Sequence, residues 1–214
     1  MENIVENAVQ FLKDGKFIIL ADNESRENEG DLVAFGDRIT PEVVYKILNL
    51  ANGLMCVPIN SKIANRLGFE VMVKNSTDPN GTPFMVTTDA IHEAAGVTTG
   101  VSAYDRAATI KLIADPTSKP EQFNHPGHIQ PLIAQDKGIR VRKGHTEATV
   151  DLTYIAGAEP VTVIIEILNQ DGKMARRDAL HALAEKEQIP MITIEQIEKY
   201  LDDHQIKYAS ELTK

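Results

Sequence analysis

The sequence predicts a mixed α/β fold of the α+β kind, in one domain spanning residues 1–214. Three observations carry this. Apolar runs of strand length mix with helical stripes, without the strict strand–helix repeat of a parallel α/β protein. Cap and turn residues punctuate those runs where helices and strands should end. The composition, 43% hydrophobic and 25% charged, is ordinary for a globular chain able to bury a sizeable core.

The elements follow in order. Ile4, Val5, Ala8, Phe11 and Leu12 form a helical stripe that Asp14-Gly15 ends. Strands are predicted at 16–21 and 31–36. Thr40-Pro41 reads as an N-cap followed by proline at the first helical position, and that helix ends near Asn52-Gly53. A buried strand at 54–59 precedes a short helix after Ser61. Phe84–Thr88 is strand-like. Ser102 and Asp105 resemble a capping box opening a helix to about Ala114, which assigns Asp105 to capping rather than catalysis. Residues 115–131 hold Pro116, Pro120, Pro126 and Pro131 and are predicted to be a loop. Thr146 is the expected N-cap of a helix over 147–156 that stops at Gly157. A strand at 161–168, a turn at Asp171-Gly172 and two helices flanking a strand at 190–194 complete the chain.

Charge and cysteine usage narrow the function. A net charge of −9 argues against a general nucleic-acid binder, which needs a basic face. The N-terminal residues lack the basic and apolar regions of a secretory signal. No stretch approaches the ~18 apolar residues of a membrane span. The single cysteine, Cys56, excludes an intramolecular disulfide and lies in an apolar run, so a buried inert thiol is expected. These features predict a cytoplasmic protein with no membrane or nucleic-acid partner. There is no GxGxxG, no P-loop and no zinc-ligand spacing.

Two stretches carry chemistry. Between Asp22 and Asp31 lie five acidic groups (Asp22, Glu24, Glu27, Glu29, Asp31) and Arg26. Such crowding is repulsive unless a cation binds, and Mg²⁺ or Mn²⁺ prefers carboxylate and water oxygens. The second stretch, Arg142-Lys143-Gly144-His145-Thr146-Glu147, is a cationic loop feeding a helix N-terminus. Free N–H groups and the helix dipole favour a phosphate there. A solvated acidic loop and a capped surface helix are the plainer readings of each stretch alone.

Together, RENEGD (26–31) and RKGHTEATVDL (142–152) resemble the two signatures of the 3,4-dihydroxy-2-butanone 4-phosphate synthase family of riboflavin biosynthesis. Gly53–Cys56, Thr98–Arg106, Pro126–His128 and Val163–Asn169 match further family segments in order, from about residue 3 to about residue 200. The resemblance implies a three-layer α/β/α arrangement around a mixed sheet. It implies conversion of D-ribulose 5-phosphate to L-3,4-dihydroxybutan-2-one 4-phosphate and formate, through a metal-stabilised enediol, dehydration and skeletal rearrangement. Glu27 and His145 match the family's metal ligands, for Mg²⁺ or Mn²⁺. Arg26, Asp31 and the run Arg142, Lys143, Gly144, His145 and Thr146 match substrate contacts, and Glu27 and Glu166 join them. Glu166 lies within an apolar strand, where burial would raise its pKa and fit an acid/base role, and His128, on a proline-fixed loop, matches a position essential in the family. Both are expected to be catalytic, with Asp22 and Glu29 as further proton-transfer or supporting groups. The family works as a homodimer with sites at the interface, so His128 and the metal ligands are expected from different chains. Asn23, Ser25 and Gln130 depart from the family's usual residues beside these positions. A chain ending at Lys214 leaves no room for the GTP cyclohydrolase II module of many relatives, which predicts a monofunctional enzyme. Two alternatives stand beside this reading. One is another metal-dependent sugar-phosphate isomerase or aldolase, and the other is a non-catalytic binding module.

Overall fold

A computed structural model describes residues 3–212. Its centre is a seven-stranded sheet in the order β4-β5-β3-β6-β2-β1-β7. The strands are β1 (Phe17–Ala21), β2 (Gly30–Phe35), β3 (Cys56–Ile59), β4 (Thr88–Ala90), β5 (Phe123–Ile133), β6 (Thr162–Glu166) and β7 (Met191–Thr193). The β1/β7 and β3/β5 pairs are parallel, and the others are antiparallel. The central strands are buried on both faces, so β1 and β2 carry apolar residues nearly throughout instead of an alternating pattern.

Among the described residues, eight α-helices cover the two faces. They are α1 (Ile4–Lys13), α2 (Pro41–Ala51), α3 (Ser61–Leu67), α4 (His92–Ala95), α5 (Ala103–Ala114), α6 (His145–Ala156), α7 (Arg177–Glu187) and α8 (Ile194–Asp203). One core packs Val44 and Ile47 of α2, Ile110 and Ile113 of α5 and Leu180 of α7 against Ile19, Leu32 and Ile165 of the sheet. The opposite core packs Leu12 of α1, Leu152 of α6 and Leu201 of α8 against Ile18, Leu20, Val33 and Ile164. Adjacent strand residues point to opposite faces, so Ile18 and Ile19 feed different cores. The result is the expected three-layer α/β/α arrangement around a mixed sheet.

The predicted caps mostly form. Thr40 accepts from the Val43 N–H at 3.3 Å, and Asn52 closes α2 in the left-handed region. Ser102 accepts from the Asp105 N–H at 3.0 Å and opens α5.

Three expectations are corrected. The segment 115–131 is not all loop, because β5 runs from Phe123 to Ile133 despite its prolines. Pro131 is tolerated because its carbonyl faces Met85, accepting that N–H at 3.0 Å, and its missing donor faces the same side. The β3 ladder on the other side is untouched. Pro126, after a cis bond, lies where the β4/β5 register jumps from Asn124 to Ile129, a bulge that needs no ladder hydrogen bond. The regular strand predicted at Phe84–Thr88 is displaced to β4, and Phe84 and Met85 make only isolated bridges. Finally, α6 begins at His145 with Gly144 as its cap, so Thr146 lies inside the first turn. The Glu147 carboxylate binds Arg142 Nη1 at 2.6 Å and the Gln135 N–H at 3.3 Å, which draws the helix start forward. A Cβ at Gly144 would collide with that arginine.

Candidate active site

The loop between β1 and β2 folds around Asp22. This buried carboxylate accepts the Glu27 N–H at 3.1 Å, the Glu29 N–H at 2.9 Å and Arg26 Nη1 at 2.9 Å. Arg26 Nη1 also lies 2.6 Å from Glu27 Oε2, so one guanidinium neutralises two carboxylates. His145, at the start of α6, faces the same point. One ligand atom each from Asp22, Glu27 and His145 lies within 4.8 Å of the others. His145 is buried and its Nε2 has no hydrogen-bond partner among the described residues. Burial first, then Arg26, holds its pKa below the usual histidine value against the pull of Asp22, Glu27 and Glu29. The ring is therefore neutral at neutral pH, the form that ligates a metal. An orphaned neutral imidazole facing two carboxylates fits a divalent cation.

A cavity of about 210 Å³ adjoins this cluster, lined among others by Arg26, Glu27, Glu29, Asp31, Arg142, His145, Thr146 and Glu166. Asp31 and Glu166 face each other across the β2/β6 pair. Burial raises the Asp31 carboxyl well above its usual range, and Glu166, Glu27, Glu29 and Asp22 add to the rise. Burial also raises Glu29, with Glu27 next, while Arg176 pulls it back. Glu166 is half-buried and its Oε2 accepts the Leu54 N–H at 2.8 Å. Cys56 lines the same cavity, and burial pushes its thiol far up, which keeps it protonated and inert as expected. A larger cavity of about 870 Å³ between Asn60, Arg66, Tyr154 and Ser210 has Asp136 and Glu159 in its lining but, among the described residues, no cluster of three metal-ligating side chains, so size does not locate the site.

The structure thus gathers Asp22, Arg26, Glu27, Glu29, Asp31, Arg142, His145, Thr146 and Glu166 around one centre. Gly144 adjoins it as the cap of α6. Lys143 is not brought in, since its Nζ pairs with Glu198 at 2.7 Å on the surface. His128 stands apart on the exposed bulge of β5, paired with Asp89.

Several partners were not foreseen. Arg176 Nη1 binds the carbonyls of Glu27 and Asn28 at 2.6 Å each, and Arg177 Nη2 binds that of Asp22 at 3.2 Å. Asn80 Nδ2 donates to Glu27 Oε1 at 3.0 Å, while the Asn80 carbonyl and Thr82 Oγ1 accept from Arg142. The only available signal was the arginine pair opening a helix and the turn-like Asn80-Gly81. Neither points to a loop so distant in sequence.

A sequence profile of the family described as 3,4-dihydroxy-2-butanone 4-phosphate synthase matches residues 6–200. This chain belongs to that family. A synthase of this family, solved in complex with two magnesium ions, superposes with a TM-score of 0.88 at 35% identity, over 95% of this chain and 98% of that one. RibBX, a two-domain synthase from A. baumannii, gives 0.87 at 39% identity, over 92% of this chain and 57% of that one. Riboflavin biosynthesis protein RibBA of Bacillus mycoides (strain KBAB4) is 46% identical over 208 residues, 97% of this chain and 51% of that protein. Its counterpart in Phocaeicola vulgatus is 44% identical over 198 residues, 92% of this chain and 48% of that protein. The chain spans about half the length of the curated relatives it matches.

Proposed function

We propose that this synthase-family chain converts D-ribulose 5-phosphate to L-3,4-dihydroxybutan-2-one 4-phosphate and formate in riboflavin biosynthesis. The observation that carries the reading is the orphaned, neutral His145 facing Asp22 and Glu27 beside a cavity lined by carboxylates. The magnesium-bound relative supports the same cation chemistry. Asp22, Glu27 and His145 would hold Mg²⁺ or Mn²⁺. When bound, the cation supplies Lewis-acid polarisation of neighbouring sugar oxygens.

The chain's own groups account for the rest. The reaction removes a proton beside a ketone, expels water, shifts the carbon skeleton and releases one carbon as formate. It needs groups that hold and give up protons near neutral pH. Asp31 and Glu29, raised by burial and then by neighbouring carboxylates, hold a proton more readily than ordinary carboxyls. Glu166 is oriented by the Leu54 N–H to work beside Asp31. Thr146 and the N-terminus of α6, whose Gly144 cap has no side chain to occupy it, offer donors to the phosphate, and Arg142 adds charge. Arg142 is bound to Asn80 and Thr82, so a phosphate would compete with that loop for its donors.

His128 acts as an acid/base group contributed across a homodimer interface. That His128 does not line the cavity within one chain supports this, as do the exposed Val101 and Tyr104 next to the turn that packs against it. A cytoplasmic location is part of this proposal; separately, no helix among the described residues is long and apolar enough to cross a membrane.

The test is formate release from ribulose 5-phosphate by purified protein, with Mg²⁺ and then with EDTA. Metal-dependent formate in step with a four-carbon ketone phosphate is expected. Substrate loss without formate would replace this activity with an isomerase or aldolase.

A further inference from the structure

The segment Thr98–Arg106 and the residue Asp89 take no part in the carboxylate cavity, yet they meet around His128. The β5 bulge presents His128 with its backbone and ring both turned to Asp89 of β4. Asp89 Oδ1 accepts the His128 backbone N–H at 2.9 Å, and Oδ2 lies 2.6 Å from ring Nδ1. With Asp89 ionised, that contact requires the proton on Nδ1. Nε2 then carries the lone pair, and it has no hydrogen-bond partner among the described residues.

The back of this pair is closed by Gly100. Its φ is +88°, and a Cβ there would run into Asp89 Oδ2 and His128 Nδ1. Asp105 holds the turn in place, accepting the Thr98 N–H at 2.9 Å, the Thr98 hydroxyl at 3.0 Å and the Gly100 N–H at 3.2 Å. The Asp105 carboxylate is thereby committed to the turn and does not compete for the ring. A solvent-exposed surface pair needs none of this support.

We infer that Asp89 is a positioning residue. It fixes the ring angle and the Nδ1–H tautomer of His128, so that Nε2 is the atom that exchanges a proton with the sugar phosphate. The inference rests on the acid/base reading of His128 given above. It explains the Thr98–Arg106 segment as the buttress of a His–Asp pair rather than as a source of substrate ligands. A carboxylate that orients an imidazole in this way also stabilises the imidazolium formed during proton transfer.

Asp89→Asn is the informative variant. Its amide oxygen still accepts the backbone N–H, but its NH₂ faces Nδ1 and forces the proton to Nε2. Nitrogen-15 NMR of histidine-labelled full-length protein is expected to show Nδ1–H at His128 in the wild type and Nε2–H in the variant. The kcat for formate release is expected to fall about 10²- to 10⁴-fold, with KM held within about twofold. Asp89→Asn/His128→Ala is expected to be no slower than His128→Ala, since the two residues act as one unit. Gly100→Ala, which pushes on the same pair from behind, is expected to lower kcat in the same sense.

Three results would each overturn the inference: Nε2–H in the wild type, a variant kcat within about threefold of wild type, or independent multiplicative losses in the double variant. The tautomer is read without turnover. A wild type that releases no formate would therefore overturn the proposed activity and the catalytic role of the pair, and would leave the measured tautomer to judge the geometry separately.

Discussion

Asp31 and Asp105 are both buried carboxylates in one small protein, and their surroundings push them in opposite directions. Asp105, in the first turn of α5, accepts hydrogen bonds from two backbone N–H groups and a hydroxyl, led by the Thr98 N–H, which hold its pKa below the usual value. Asp31 accepts no hydrogen bond among the described residues and sits among Glu166, Glu27, Glu29 and Asp22, which, with burial, hold its pKa well above. Asp151 falls between them. It accepts the Ile139 N–H at 2.9 Å, and burial pushes it up to about 7. The number of donors decides the sign. A buried carboxylate supplied with donors is a structural fastener, whereas one denied them is unstable as an anion until a cation or proton arrives. Asp31, on β2 beside the acidic loop, is of the second kind, whereas Asp22 within that loop is of the first.

The largest expected effect tests the cation side of this contrast. Glu27→Ala or His145→Ala should lower formate release by more than about 10³-fold, since a Lewis acid supplies several kcal/mol to the transition state. Saturating Mg²⁺, at about 100 times Kd, should stabilise the wild type by about 2.7 kcal/mol in thermal melts. It should leave Glu27→Ala unmoved, and equal shifts in both would remove Glu27 from the ligand set.

Next comes the fastener. Asp105→Ala strands the Thr98 and Gly100 donors and should cost about 2–4 kcal/mol in urea unfolding followed by circular dichroism. A lowered folded-state pKa contributes stability that is present above the unfolded value and lost as pH falls through the folded one. The deficit of this variant should therefore shrink in acid, and a deficit that grows there would contradict the assignment.

Asp151→Asn should behave oppositely. The raised folded-state pKa means stability is full below about pH 4, the unfolded value, and lost as pH rises to about 7. The variant should match wild type near pH 4 and be the more stable protein at pH 8. Parallel stability curves would show that burial does not load this carboxylate.

The smallest effect is expected at Lys143→Ala. Its charge is spent on Glu198 at the surface, so KM for ribulose 5-phosphate should change by less than about threefold. A large rise in KM would return Lys143 to the phosphate cradle, through a rearrangement of its exposed pair.

Elements with strong local signals were legible in the sequence. Thr40-Pro41, Ser102 and Gly157 mark their helices because caps and left-handed termini are decided by a few neighbouring residues. β5 was not legible. Proline statistics describe a strand without knowing which side of it faces a partner, and here Pro131 faces the poorly paired side. The start of α6 was misplaced for a related reason. Thr146 is a good cap in isolation, but the helix begins earlier because buried Glu147 reaches back to Arg142 and Gln135. Nearly the whole of α6 is buried despite carrying Glu147, Asp151 and three threonines, so no amphipathic pattern reveals its surroundings.

The candidate site divides in the same way. The sequence by itself determined its chemistry: a crowded acidic loop that calls for a cation, a histidine at a helix entry, and a local cationic segment on a chain of net charge −9. Those properties follow from residue types a few positions apart, where repulsion and dipoles act whatever the fold. Only the tertiary structure decided which groups meet. It joined Asp22 and Glu27 to His145, set Arg176 and Arg177 against the acidic loop, sent Lys143 to the surface and paired His128 with Asp89. Such meetings depend on strand order and register across a mixed sheet, and they are fixed by the packing of both cores rather than by the sequence near each residue.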